Sequence, residues 1–192
     1  MANLGDTVGD EDNIEVDGEK VKPGALRYLA YYKPVGVIAT KSDEHDRETI
    51  YSTGEVDKSL SYAGRLDMGS EGLMILTNDG NFIERLSHPS VEIEKVYQLT
   101  LSGSPENLKK VPERFLSGLN IDGKLMRADK VVRERSNVFK ITLHQGYNRQ
   151  LRKMSVELNL GVISLKRIQI GRLKLGDLKP GEIKSIDKNM VM

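Results

Sequence analysis

Gly64-Arg65-Leu66-Asp67-Met68-Gly69-Ser70-Glu71-Gly72-Leu73-Met74-Ile75-Leu76-Thr77-Asn78-Asp79-Gly80 places an acid, a turn and an apolar run next to one another. Asp67 follows Arg65 by two residues and stands before Met68-Gly69-Ser70, and the run Leu73 to Leu76 comes soon after. An aspartate so placed is anchored on a rigid element, has a cation nearby, and sits where the backbone can bend. Those conditions suit a carboxylate nucleophile: ionised at neutral pH, held in place and presented at an edge. The same residues also describe a strand, a turn and a strand in which Arg65 and Asp67 make an ordinary surface pair, and spacing does not separate the two readings.

Outward from this stretch, strand and helix signals mix. Tyr28, Ala30 and Tyr32 alternate with Leu29 and Tyr31 up to Lys33-Pro34-Val35-Gly36, a strand with a tight exit. Residues 41 to 59 are charged and polar and read as an exposed loop. Leu73 to Thr77 reads as a buried strand, and Asn78-Asp79-Gly80 opens a short helix that Pro89 closes. Tyr97, Leu99 and Leu101 share one face of the next strand. Ser104-Pro105-Glu106 supplies an N-cap, a first-turn proline and an early acid for a helix. A pair of strands follows between Ala128 and His144. The last helix is expected from about Asn148 to Asn159, with Leu151, Met154 and Leu158 on one face and Gly161 as its stop. This order has no repeating βαβ period, so the fold class is α+β with a mostly antiparallel sheet.

The chain has 192 residues, 38% of them hydrophobic, enough for one substantial core or two small ones. Without cysteine it has no disulfide, thiolate zinc site or catalytic thiol. His45, His88 and His144 are scattered without ligand spacing, so no metal is expected. No apolar run approaches membrane-spanning length and the first residues are acidic, which makes a cytoplasmic protein without membrane attachment the expectation. The net charge of +1 conceals an asymmetry. Residues 1 to 25 carry seven acids against Lys20 and Lys22, net −5, while residues 144 to 179 carry eight bases against Glu157 and Asp177, net +6. The basic segment reads as a face for a polyanion, or as a solvated helix face.

Gly64-Arg65-Leu66-Asp67-x-x-Ser70-Glu71-Gly72-Leu73-x-x-Leu76-Thr77-Asn78-Asp79-Gly80 resembles the signature of pseudouridine synthases, in particular the RsuA family that modifies ribosomal RNA. Lys33-Pro34-Val35-Gly36, Glu94-Lys95-Val96-Tyr97, Gln145 to Met154 and Leu165-Lys166-Arg167-Ile168-x-Ile170-Gly171 resemble further motifs of that family, in its order. The resemblance covers residues 27 to about 186, and departs from the pattern where Tyr147 and Lys153 replace usual arginines. It implies a pseudouridine synthase fold: a long bent mostly antiparallel mixed sheet with flanking helices and a central cleft. Residues 26 to 192 would be the catalytic domain. Residues 1 to 25 would be a remnant of the family's N-terminal RNA-binding domain, or flexible, whether the chain is truncated or its natural start differs.

The implied activity is isomerisation of a specific uridine in ribosomal RNA, by a monomer that needs no cofactor. The bond from uracil nitrogen to ribose is broken and remade through a ring carbon, with atoms conserved and no electrons exchanged. By resemblance Asp67 is the nucleophile or base, Arg152 its cationic partner, and Tyr97 the aromatic that stacks on the detached uracil. Arg65 would fill the space left by the flipped nucleotide. RNA contacts would come from Lys33, Asn148, Arg149, Gln150, Lys153, Lys166 and Arg167. Taken alone, Tyr97 reads more readily as strand core and Arg152 as a helix-surface cation. Two other functions fit less well: a non-catalytic RNA-binding or ribosome-assembly protein on the same scaffold, and a glycosidase, which needs two flanking acids where only Glu71 accompanies Asp67.

Overall fold

The computed structural model describes residues 13, 15–20, 24–87, 91 and 93–192. A small hairpin, β1 (Glu15–Val16) and β2 (Glu19–Lys20), precedes the main body. There follow β3 (Tyr28–Lys33), β4 (Ser61–Ala63), β5 (Glu71–Thr77), α1 (Gly80–Ser87), β6 (Lys95–Ser102) and α2 (Pro105–Ser117). Next come the hairpin of β7 (Leu119–Ile121) and β8 (Lys124–Met126), then β9 (Lys130–Arg133), β10 (Val138–Leu143) and α3 (Gln150–Glu157). The long β11 (Gly161–Ile170), β12 (Leu173–Lys174) and β13 (Ile183–Ser185) complete the order.

Nine strands form one mixed sheet in the order β13-β3-β5-β11-β6-β10-β9, with β4 on β5 and β12 on β11. Every pairing is antiparallel except β5 with β11. That joint consists of only Lys166 opposite Glu71 and Arg167 opposite Gly72, because β4 occupies the same edge of β5 from Ile75 to Thr77. The sheet therefore has two halves meeting at a short seam.

The core follows the seam. On one half, α2, α3 and the β7–β8 hairpin cover β6, β10 and β11 through Leu108, Val111, Phe115, Leu151 and Met154. On the other, Val37, Ala39, Ile50, Tyr51, Val56 and Leu60 pack on Leu29, Tyr31, Met74 and Leu76. Leu73 and Ile75 face the opposite way, toward Phe82 and Leu86 of α1. Thus β5 is buried on both faces, as its uninterrupted apolar run requires. Tyr97 packs against both of the first two clusters, which puts it at the seam.

Several local expectations need correction. The 41–59 loop is not simply exposed, since Ile50, Tyr51 and Val56 are core residues under its polar ones. The last helix begins at Gln150 and ends at Glu157, and Gly161 opens β11 instead of stopping the helix. Asn159, at φ 54°, makes the left-handed exit. Ser104 caps α2 as expected, its side chain accepting from the Asn107 amide. Asp79 does the same for α1 through the Phe82 amide. Pro89, His88 and most of residues 1 to 25 lie outside the described residues. No described helix is long and apolar enough to cross a membrane.

Candidate active site

Asp67 lies on a turn between β4 and β5, closed by the Ser70 amide donating to the Asp67 carbonyl at 3.0 Å. Three distant elements brace this turn. The Gly36 amide donates to Met68 O at 2.9 Å, and the Lys33 ammonium donates to Ser70 O and Pro34 O, each at 2.7 Å. Arg152 Nη2 donates to Gly69 O and to Ser70 Oγ. The Asp67 carboxylate, a third exposed, is left facing a cleft of about 890 Å³, room for a nucleotide with space around it.

Arg152 does reach Asp67, but its Nε stands 4.0 Å from Oδ2. Its Nη2 is engaged by the turn, donating to Gly69 O and the Ser70 hydroxyl, and the Nε has no hydrogen-bond partner among the described residues. Burial, then the neighbouring Arg149, pull the Arg152 pKa down, while Asp67 pulls it up. Asp67 is thus positioned chiefly by its backbone, with Arg152 as a nearby cation.

The floor of the cleft is sheet. Tyr97 on β6 stands opposite Ile141 of β10 and Arg167 of β11, and directly opposite pairs share a face. Arg167 is only 2% exposed. Its Nε donates to Leu73 O at 2.7 Å and its Nη1 to Arg65 O at 3.4 Å, so it spans the seam between the two halves. Gly72 makes this possible: a Cβ there would lie 2.4 Å from Arg167 O.

The expected RNA contacts divide. Arg65, Asn148 and Arg149 are exposed at the cleft rim. Lys33 was expected to meet phosphate; it is 0% exposed and bonds two carbonyls. Burial pushes its pKa down to about 8 despite the opposing pull of Asp67 and Glu71. Arg167, as described, is internal too. Gln150 is 4% exposed, its amide nitrogen donating to Arg127 O and its Oε1 accepting from the Tyr147 amide. Lys166 precedes Arg167 on β11 and so points away from the cleft, 3.8 Å from Glu71. Lys153 pairs with Asp122 at 2.6 Å. The concentration of cations in 144 to 179 is therefore not one face. Ser70 and Lys95 received no individual role from the sequence, although both lie in quoted motifs; only strand alternation from Tyr97 could have singled out Lys95.

Residues 27–156 match the family model for RNA pseudouridylate synthase. The chain belongs to the RNA pseudouridylate synthase family. A ribosomal large subunit pseudouridine synthase B of Bacillus subtilis is 34% identical over 176 residues, covering 87% of this chain and 70% of the relative. A dual-specificity RNA pseudouridine synthase RluF of Escherichia coli K12 is also 34% identical, over 88% of this chain but 58% of its own length. Among solved structures, a pseudouridylate synthase crystal structure superposes with a TM-score of 0.78 at 25% identity, covering 96% of this chain and 81% of that one. An H/ACA ribonucleoprotein bound to a substrate RNA containing 2'-deoxyuridine shares the fold, with a TM-score of 0.53 at 14% identity over 77% of this chain and 48% of that one. The α+β synthase fold and the isomerase class expected from the motifs are those of the family.

Proposed function

We propose that this pseudouridylate synthase isomerises a specific uridine in ribosomal RNA, with Asp67 as nucleophile or base toward a nucleotide flipped into the cleft. The supporting observation is the Asp67 turn, braced by Gly36, Lys33 and Arg152 with its carboxylate facing the cleft. The relatives are named as ribosomal large subunit and dual-specificity RNA pseudouridine synthases, which supports RNA as the substrate class.

In this reading the labour is divided. Asp67 meets the ribose or the base, its orientation set before substrate arrives, so little reorganisation is required at the moment of reaction. Tyr97 offers a ring on which uracil rests while its bond to ribose is broken. Arg65, exposed beside Asp67, is placed to occupy the gap in the RNA stack, offsetting an unstacking cost of a few kcal/mol. Arg149 and Asn148 on the opposite rim contact the RNA backbone.

Asp67→Asn tests the reading, since the amide has the same shape but is neither nucleophilic nor basic. Isomerisation of ribosomal RNA should disappear while the RNA dissociation constant moves by less than about threefold, the pattern of an interaction needed only for chemistry. Activity of Asp67→Asn within about tenfold of the unsubstituted protein overturns it.

A further inference from the structure

Lys95 is a cation of the cleft that the mechanism above leaves idle. Strand alternation puts it on the same face of β6 as Tyr97, about 7 Å away along the strand. Its direct neighbours across the sheet are Leu143 of β10 and Ile170 of β11, and all three line the cleft. Beyond them the wall is Leu86 and Val91. A cation thus stands in the apolar part of the floor, whereas Arg65 and Arg149 stand in water at the rim.

Nothing of opposite charge among the described residues accounts for it. Its Nζ donates to Ile93 O at 3.2 Å, and no described carboxylate lies within 4.0 Å. Burial, and then the nearby Arg167, pull its pKa down. A cation held among aliphatic side chains and close to a second cation is costly in the free protein. An anion arriving in the cleft removes that cost.

We propose that Lys95 is a further catalytic residue: it holds a carbonyl oxygen of the flipped uracil and neutralises the negative charge that gathers on the ring during the reaction. This rests on the uridine-isomerising reading. If Asp67 takes the ribose carbon, the bond from C1' to N1 breaks with its electron pair staying on uracil, and the charge spreads over N1, O2 and O4. If Asp67 adds to the ring instead, the pair again moves to a carbonyl oxygen. In both cases the C1'–N1 bond is cleaved, C5 bonds C1' with that electron density, the bond to Asp67 breaks and returns its carboxylate, and C5 loses a proton while N1 gains one. Lys95 transfers no proton; it supplies charge in a low-dielectric place, where it acts most strongly on a developing anion. A phosphate is the wrong occupant for this spot, because the aliphatic walls fit a base ring and phosphates are served by the exposed rim cations.

Single-turnover rates and dissociation constants on ribosomal RNA transcripts, for Lys95→Met and Lys95→Arg, provide the test. Lys95→Met keeps an unbranched apolar stem one atom shorter and removes the charge, so its rate should fall on the order of 10²-fold while RNA affinity changes by less than about threefold. Lys95→Arg should recover part of the rate. A Lys95→Met rate close to that of the unsubstituted protein overturns the proposal. So does a loss of affinity at unchanged rate, which would make Lys95 a phosphate anchor. Should Lys95→Met melt below the assay temperature, Lys95→Gln decides: a rate at least about tenfold reduced supports the proposal and an unchanged one overturns it. An unsubstituted protein inactive on every ribosomal RNA would sink the uridine reading and this one together, whereas an active protein indifferent to Lys95 sinks this one alone.

Discussion

At the residue scale, Gly72 and Arg167 form a tight backbone-to-backbone fit across the seam. Gly72 sits at φ 110°, and a Cβ would meet Arg167 O at 2.4 Å and Arg167 N at 2.7 Å. Both contacts are backbone, so neither can swing aside. Gly72→Ala must therefore pull β5 from β11 or distort both, and equilibrium urea unfolding should show a loss of at least about 3 kcal/mol. The loss should also reach catalysis, because the same seam carries the Arg167 bonds to Leu73 O and Arg65 O behind Asp67. A near-neutral Gly72→Ala would mean that the seam is far softer than its geometry.

At the element scale, α3 carries a local conflict. Arg149 stands at its N-cap in the left-handed region, φ 52°, and its side chain makes no cap hydrogen bond. A residue with a Cβ pays roughly 1–2 kcal/mol for that conformation. Arg149→Gly should accordingly raise the unfolding free energy by up to about 1 kcal/mol while weakening RNA binding through the lost rim cation. Calorimetry and a binding titration on the same preparation check both signs. A variant that is less stable would show that the Arg149 side chain holds α3 in a way its exposed position does not suggest. The helix start matters because this turn puts Asn148 and Arg149 on the rim and tucks Gln150 beneath it, bonded to Arg127 O.

At the scale of the whole molecule, charge placement sets the response to pH and salt. Tyr31 and Tyr51 are buried in the core under the 34–60 loop, and burial raises the pKa of each to about 12. Between pH 10 and 12 the unfolded tyrosines release protons that the folded ones retain, so stability falls as pH rises through that window. Lys33 works in the opposite sense below it: from about pH 8 to 10.5 its unfolded form holds a proton the folded form has lost, and stability rises. Melting temperature should hold or climb from pH 8 to near 10 and then drop steeply, with a shallower drop in Tyr31→Phe. An identical alkaline drop in that variant would exclude Tyr31 as its cause. Salt probes the surface charges. With Arg167 and Lys33 internal and Lys166 turned toward Glu71, Arg65, Arg149 and Lys153 remain of the cations expected to meet phosphates, which predicts a log–log slope of RNA affinity against salt of about −2. A slope near zero would remove the rim from the RNA interface.

The sequence by itself determined what depends on neighbours in the chain. Asp67 before a turn, the apolar run into β5, the shared face of Tyr97, Leu99 and Leu101, and the Ser104 cap all follow from spacing and local hydrogen bonding, and the family motifs run through the same residues. The tertiary structure decided which charges are tools and which are struts. Arg167 donates to the carbonyl of Leu73, 94 residues earlier, and Lys33 to that of Ser70, 37 residues later. No local pattern announces such partners, since a lysine or arginine bound for the interior has the same composition signature as one bound for RNA. The core residues Ile50, Tyr51 and Val56, within a polar loop, were hidden for the same reason. Burial is settled by what a segment packs against, and that surface is built by strands far away in the chain.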